Sequence, residues 1–183
     1  MKLSDIPAGL PASFRTDLAQ LDAGVRPAIR SELRACSARM LQAWARRRRL
    51  FAAVDRDGFF AMARRPAEAR RLLRIDRRAG PHLVALGRAL GYPACCCLAA
   101  ARRGEEHIDE WSAEISSEPF IGAFTLINPD GYAEGHALLS HVPCSPRCLP
   151  SLRMALAVQR RTRGPGREGP GRQRQVALNL ARE

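Results

Sequence analysis

Five of the six cysteines fall in two short, proline-bounded stretches: Gly91-Tyr92-Pro93-Ala94-Cys95-Cys96-Cys97 and Pro143-Cys144-Ser145-Pro146-Arg147-Cys148. Single scattered thiols fill gaps in a core. Thiols gathered at two distant turns serve one site only if the fold brings those turns together, and this requirement constrains the topology more than any other feature. Pro93 suits the opening of a helix, as does the Leu149-Pro150-Ser151 run after Cys148. Thiols in a first helical turn face unpaired N–H groups and the positive end of the helix dipole, which favours the thiolate that binds metals or attacks electrophiles.

Cys95, Cys96, Cys144 and Cys148 supply four sulfurs, the number that holds an iron–sulfur cluster. Successive helical residues point about 100° apart, so the three consecutive thiols cannot all aim at one centre, and Cys97 is assigned to the core. Zinc is the nearest rival, bound by the four thiolates or by three with His141. The three residues between Cys144 and Cys148 match zinc spacing, whereas the adjacent pair Cys95-Cys96 matches it poorly. A further alternative is a thiol enzyme in which Cys95 or Cys96 is the nucleophile and His107 or His141 the base.

Together with Ser151, the two stretches resemble an uncharacterised prokaryotic family whose members carry a GYPxCC motif and a later PCSxxC motif. The resemblance covers about residues 80–158. It implies that Cys95, Cys96, Cys144 and Cys148 form the shared site and leaves Cys36 and Cys97 outside it. It implies no activity, and the third consecutive cysteine and the Arg/Gly/Pro-rich end depart from the pattern.

The rest of the chain supplies the frame. Its 183 residues suffice for one domain, and the periodicity predicts an α+β fold, predominantly α-helical, with a small antiparallel hairpin between the two cysteine clusters. Residues 1–25 are read as an irregular lead-in, 26–159 as the cysteine-motif domain, and 160–183 as a disordered basic tail. A helix is predicted from Arg26-Pro27 with Ile29, Leu33, Cys36, Met40, Leu41, Trp44 and Leu50-Phe51 on one face. Asp55-Arg56-Asp57-Gly58 is a turn without the later ligands of a calcium loop. Helices are predicted from Pro66 to Gly80-Pro81, through Leu83, Leu86 and Leu90 to Gly91, and over 105–117, where His107, Trp111 and Ile115 share a face. Phe120 to Ile127 and Ala137 to Val142 are the strands of the expected hairpin, with Asn128-Pro129-Asp130-Gly131-Tyr132 as its turn. His136 and His141 then face opposite sides of a strand, so only His141 is a metal candidate.

The formal charge of +12 invites a nucleic acid or other polyanion as partner, the role of a zinc-stapled binding module. The charge is almost all arginine, which with Ala, Gly and Pro has GC-rich codons, and seven arginines lie in 160–183 against two glutamates. Base composition therefore accounts for much of it. An early acid and proline in Met1–Pro7 argue against a signal peptide, and no apolar run is long enough to span a bilayer. The expectation is a cytoplasmic protein with an iron–sulfur centre, serving electron transfer or an accessory biosynthetic step beside a redox or biosynthetic partner.

Overall fold

A computed structural model of the chain describes residues 6–77 and 82–163. The fold is α+β and mostly helical, but its sheet lies near the N-terminus. Strands β1 (Ala28–Glu32), β2 (Phe51–Val54) and β3 (Phe59–Ala63) form an antiparallel sheet in the order β1-β3-β2. Ala28 pairs with Ala63 at one end and Glu32 with Phe59 at the other, while Phe51 pairs with Ala63 and Val54 with Phe60. The predicted Asp55–Gly58 turn closes the β2–β3 hairpin. Asp55 Oδ1 accepts from the N–H groups of Asp57 (3.0 Å) and Phe59 (2.8 Å).

Because successive strand residues face opposite ways, β3 serves two cores. Phe60 and Met62 join Phe14, Leu18 and Leu21 of α1 (Phe14–Asp22) and Leu41 and Trp44 of α2 (Ala38–Arg47). Phe14 meets the rings of Trp44 and Phe60 at centroid distances of 6.0 and 5.8 Å. Ala61 and Ala63 turn to the other face, where Ala69, Leu72 and Ile75 of α3 (Pro66–Asp76) and Leu86 of α4 (Leu83–Ala89) cover them. Small side chains on that face let α3 lie close to the sheet. The cysteine-bearing α5 (Ala94–Arg103), then α6 (Ile108–Ser117) and α7 (Leu149–Arg163) complete the described chain.

Four expectations need correction. The lead-in assigned to 1–25 contains α1. The single helix from Arg26 is instead β1, α2 and β2: pairing with β3 overrides the helical spacing of Ile29 and Leu33, and Ser37, whose Oγ accepts from Met40 N–H at 3.2 Å, starts the helix only afterwards. Met40, assigned to the apolar face, is 56% exposed. The hairpin expected between 119 and 143 does not form. That segment holds a 3-10 helix (Gly122–Ile127) and turns, with Phe124 and Ile127 packing inward three residues apart. The turn at Asn128–Tyr132 is present but reverses no strands. Finally, His107 lies in an exposed 3-10 turn (Glu105–His107) ahead of α6, while Trp111 and Ile115 are buried. The expected helix stop at Gly80-Pro81 and the basic tail beyond Arg163 fall outside the described residues, and α7 itself runs past Gln159 to Arg163.

A buried ion pair ties these parts together. Arg26 Nη1 donates to Asp17 Oδ1 of α1 at 2.5 Å and to Ser140 Oγ, and its Nε donates to the Leu90 carbonyl at 3.1 Å. Tyr92 lies against the guanidinium, 4.9 Å from ring centroid to Cζ, and its hydroxyl donates to the Ser140 carbonyl at 3.0 Å. Ser140 Oγ donates to Gln20 Oε1, Tyr132 donates to Asp17 Oδ2, and Thr16 Oγ1 donates to the Ala137 carbonyl. The network thus clamps the approaches to both cysteine turns onto α1. Gly91 (φ 82°) makes the approach feasible, since a Cβ there would stand 2.6 Å from Pro27 Cδ.

Removing one member of such a pair strands a buried charge, at a cost of about 3–5 kcal/mol. We expect Asp17→Asn and Arg26→Leu each to lower the unfolding free energy measured in urea by an amount in that range, and Ser140→Ala by about 1 kcal/mol. Unfolding curves superimposable on those of the unaltered chain would contradict the assignment.

Candidate metal centre

The two cysteine turns converge. The Sγ atoms of Cys95, Cys96, Cys144 and Cys148 all lie within 4.8 Å of one another. Cys95 and Cys96 are 3.9 Å apart, Cys95 and Cys148 3.8 Å, and Cys96 and Cys148 3.6 Å. Cys95 and Cys96 open α5 and Cys148 precedes α7, as the sequence predicted, while Cys144 lies in the turn leading to α7. Pro93 caps α5, accepting from Cys97 N–H, and Cys148 caps α7, its carbonyl accepting from Leu152 N–H at 3.0 Å. Cys96 and Cys148 are also part of a third core with Ile127, Leu139, Leu152 and Ala155. Cys95 is exposed and Cys144 half-buried, so the group spans the boundary between that core and solvent.

The other two thiols stand apart. Cys97 lies outside the group, bonds the Tyr92 carbonyl at 3.7 Å and packs on Gly87, where a Cβ would come within 2.6 Å of its sulfur. Cys36 belongs to the core under α1 and α2. Of the histidines weighed, His107 is exposed and directed at Glu110, 3.1 Å away. His141 is not one of the grouped donors. Its Nε2 lies 2.9 Å from Ser151 Oγ, and Ser151 Oγ donates to Cys148 Sγ at 3.2 Å, so the imidazole reaches the sulfurs through a hydroxyl. This geometry sets the tautomer: the serine proton goes to sulfur, and Nε2 carries the ring proton donated to Ser151. Burial, reinforced by Arg26, pushes the His141 pKa down to about 3 and keeps the ring neutral.

Four thiols this close cannot titrate independently. Cys148 is pulled down to about 4 by the Cys96 thiol, against the opposing effect of burial and with help from the Ser151 hydroxyl and N–H. The Cys96 pKa is driven well above the ordinary thiol range, first by its hydrogen bond to Cys148 and then by burial. Burial, followed by the bond to Cys148, pushes Cys144 up to about 12. The shared hydrogen bonds thus favour negative charge on Cys148 over Cys96 and Cys144. An arriving cation replaces those S–H groups as the partner of the charge.

Comparison with protein-family models, with curated proteins and with solved structures gives no match. The GYPxCC and PCSxxC resemblance thus identifies no family, and what the structure supports is the convergence of its four cysteines. Sequence reasoning missed the supporting groups. Tyr92 and Ser151 lie inside the motifs, yet nothing in their spacing assigned them a role. Arg26, Asp17, Gln20 and Ser140 carry no local signal at all.

The exposures order the thiols by reactivity. In folded, chelator-treated protein, iodoacetamide should modify Cys95 first and Cys144 next, leaving Cys36 and Cys97 protected until denaturant is added, as read by peptide mass mapping. Early labelling of Cys36 or Cys97 would be inconsistent with their burial.

Proposed function

We propose that this chain is a metal-binding protein whose Cys95, Cys96, Cys144 and Cys148 thiolates hold a single tetrahedral ion, with zinc the ion that fits best. The sulfur spacing supports this reading. With metal–sulfur bonds of about 2.3 Å, the edge of a four-sulfur tetrahedron is about 3.8 Å, and three of the sulfur pairs lie at 3.6, 3.8 and 3.9 Å. An iron–sulfur cluster shares its cysteines among several irons, which places sulfurs farther apart than this. The compact group therefore favours one ion over the cluster expected from the motif. His141 supports the site from behind through Ser151 and is not a ligand in this reading.

A closed four-thiolate site serves structure before catalysis. Here the ion joins the start of α5 to the start of α7 across about fifty residues, consistent with the Cys95–Cys148 separation of 53. It would also satisfy sulfurs that sit inside the third core. Such binding free energy is folding free energy. The ion thus acts as a staple for the C-terminal half, where Cys96 and Cys148 are themselves members of the core. Iron in the same four-sulfur environment is the second reading. The exposure of Cys95 favours it, because one edge of the centre then lies where an electron-transfer partner can approach.

Metal analysis, absorption spectroscopy and acid-labile sulfide measurement on anaerobically purified protein separate these cases. We expect one zinc per chain, no visible colour and no sulfide. A coloured, sulfide-free single iron would select the second reading, and sulfide would restore the cluster. No bound metal after anaerobic reconstitution would refute the site.

Two further outcomes follow from the supporting groups and the protons. Ser151→Ala should weaken metal affinity by about 10–100-fold, the scale of a lost supporting hydrogen bond, while Cys97→Ser leaves affinity unchanged in chelator competition. Because Cys96 and Cys144 must both give up protons, apparent affinity should rise with pH through neutrality by at least about a hundredfold per unit. A pH-independent affinity would contradict binding through these thiolates.

A further inference from the structure

The four grouped thiols differ in their access to solvent. Cys95 is exposed, Cys144 is half-buried, and Cys96 and Cys148 are each buried to 3% exposure. A small solute arriving from water therefore meets the Cys95 sulfur first. Behind it, 3.8 Å away, stands the sulfur of Cys148, a residue 53 positions along the chain. A disulfide brings its sulfurs to about 2.05 Å, so side-chain rotation that closes a gap of about 1.8 Å joins the two.

Other pairings in the group fit less well. The Cys95 and Cys96 sulfurs are 3.9 Å apart, but these residues are neighbours. Consecutive Cα atoms across a trans peptide are about 3.8 Å apart, short of the roughly 4.4–6.8 Å that a disulfide spans. Cys96 and Cys148 are 3.6 Å apart at sulfur, yet both are buried, so neither is the point of entry. Cys36 and Cys97 lie outside the group, one in the core under α1 and α2 and the other bonded to the Tyr92 carbonyl.

We infer that Cys95 is an oxidative modification site: hydrogen peroxide oxidises its sulfur, and Cys148 captures the product as a Cys95–Cys148 disulfide, expelling the bound ion. The release of an ion rests on the four-thiolate reading above, whereas the disulfide itself does not. Coordination keeps the ligand cysteines deprotonated, and an accessible thiolate beside a resolving cysteine is the susceptible arrangement. In the first step the Cys95 thiolate attacks one peroxide oxygen. An S–O bond forms, the O–O bond breaks, the sulfur gives up two electrons and hydroxide leaves. In the second step the Cys148 thiolate attacks the Cys95 sulfur, forming the S–S bond and releasing the sulfenic oxygen as a second hydroxide. One peroxide is reduced for each disulfide. Cys96 and Cys144 then remain, half the ligands that a structural zinc requires, and the ion is lost. The disulfide joins the same openings of α5 and α7 that the ion joined, so one staple replaces another.

The test uses the full chain, both loaded with one zinc and treated with chelator, and follows peroxide addition with a chromogenic zinc indicator and peptide mass mapping. Arg147 lies between Cys144 and Cys148, so trypsin separates these two and the linked peptide identifies the partner. We expect one zinc released per disulfide, a Cys95–Cys148 linkage in both preparations, and recovery of zinc binding after dithiothreitol. In chelator-treated protein, Cys95→Ser, a change at an exposed position, should slow disulfide formation at least about tenfold, while Cys97→Ser leaves the rate unchanged. Zinc retained under peroxide with the Cys95 thiol intact would overturn the inference and leave the metal site standing. A disulfide in chelator-treated protein from a chain that never takes up metal would support the modification site while refuting the metal reading. A linkage through Cys144 would overturn the pairing, and an undiminished rate in Cys95→Ser would overturn the point of entry.

Discussion

The buried contact between Arg26 and Asp17 holds the molecule's two halves in register. A guanidinium and a carboxylate removed from water gain little from each other alone, because desolvation offsets most of their attraction. Here the cost is met by distributing the donors: one nitrogen serves Asp17 and Ser140, another the Leu90 carbonyl, and Tyr92 covers the guanidinium. All of those partners except Asp17 lie just ahead of a cysteine turn. Leu90 and Tyr92 precede Cys95, and Ser140 precedes Cys144. The N-terminal α/β unit therefore acts as the anvil on which the two turns are aligned.

The alignment explains how so compact a group of thiols is tolerated. Four sulfurs within 4.8 Å would be unfavourable as four thiolates and would leave polar S–H groups poorly used as four thiols. Hydrogen bonding of Cys148, at the head of α7, with Cys96, Cys144 and Ser151 relieves this by favouring negative charge on that one sulfur. Ser151 is in turn oriented by a neutral His141 held in place by burial. That polar chain runs from Cys148 through Ser151 to His141, so the imidazole supports the candidate centre from behind.

Local signals were legible wherever a residue's role depends on its neighbours in sequence. The Asp55–Gly58 turn, Pro66 at the start of α3, the stripe of Leu83, Leu86 and Leu90, and the proline-led openings of α5 and α7 all follow from backbone and capping preferences. The misreadings occurred where an apolar pattern suited two periods. Ile29 and Leu33 match a helix as well as a strand, and only pairing with β3 decides between them. Phe120, Phe124 and Ile127 suit a strand by composition, but with no strand beside them Phe124 and Ile127 coil into a 3-10 turn and all three pack on the third core. Met40 shows the same ambiguity on a smaller scale, since the start of α2 at Ser37 rotates it out of the buried face.

By itself, the sequence determined that Cys95, Cys96 and Cys148 sit at helix openings with Cys144 in the turn before α7, and that Cys97, one residue farther around α5, faces elsewhere, because helical geometry separates consecutive side chains whatever surrounds them. The tertiary structure decided the remainder: which sulfurs meet, how closely, and that His141 stands behind Ser151 rather than among the ligands. Those facts rest on contacts between groups more than a hundred residues apart, such as Arg26 with Ser140. No local propensity encodes such a contact, since its free energy arises only when both ends leave water together.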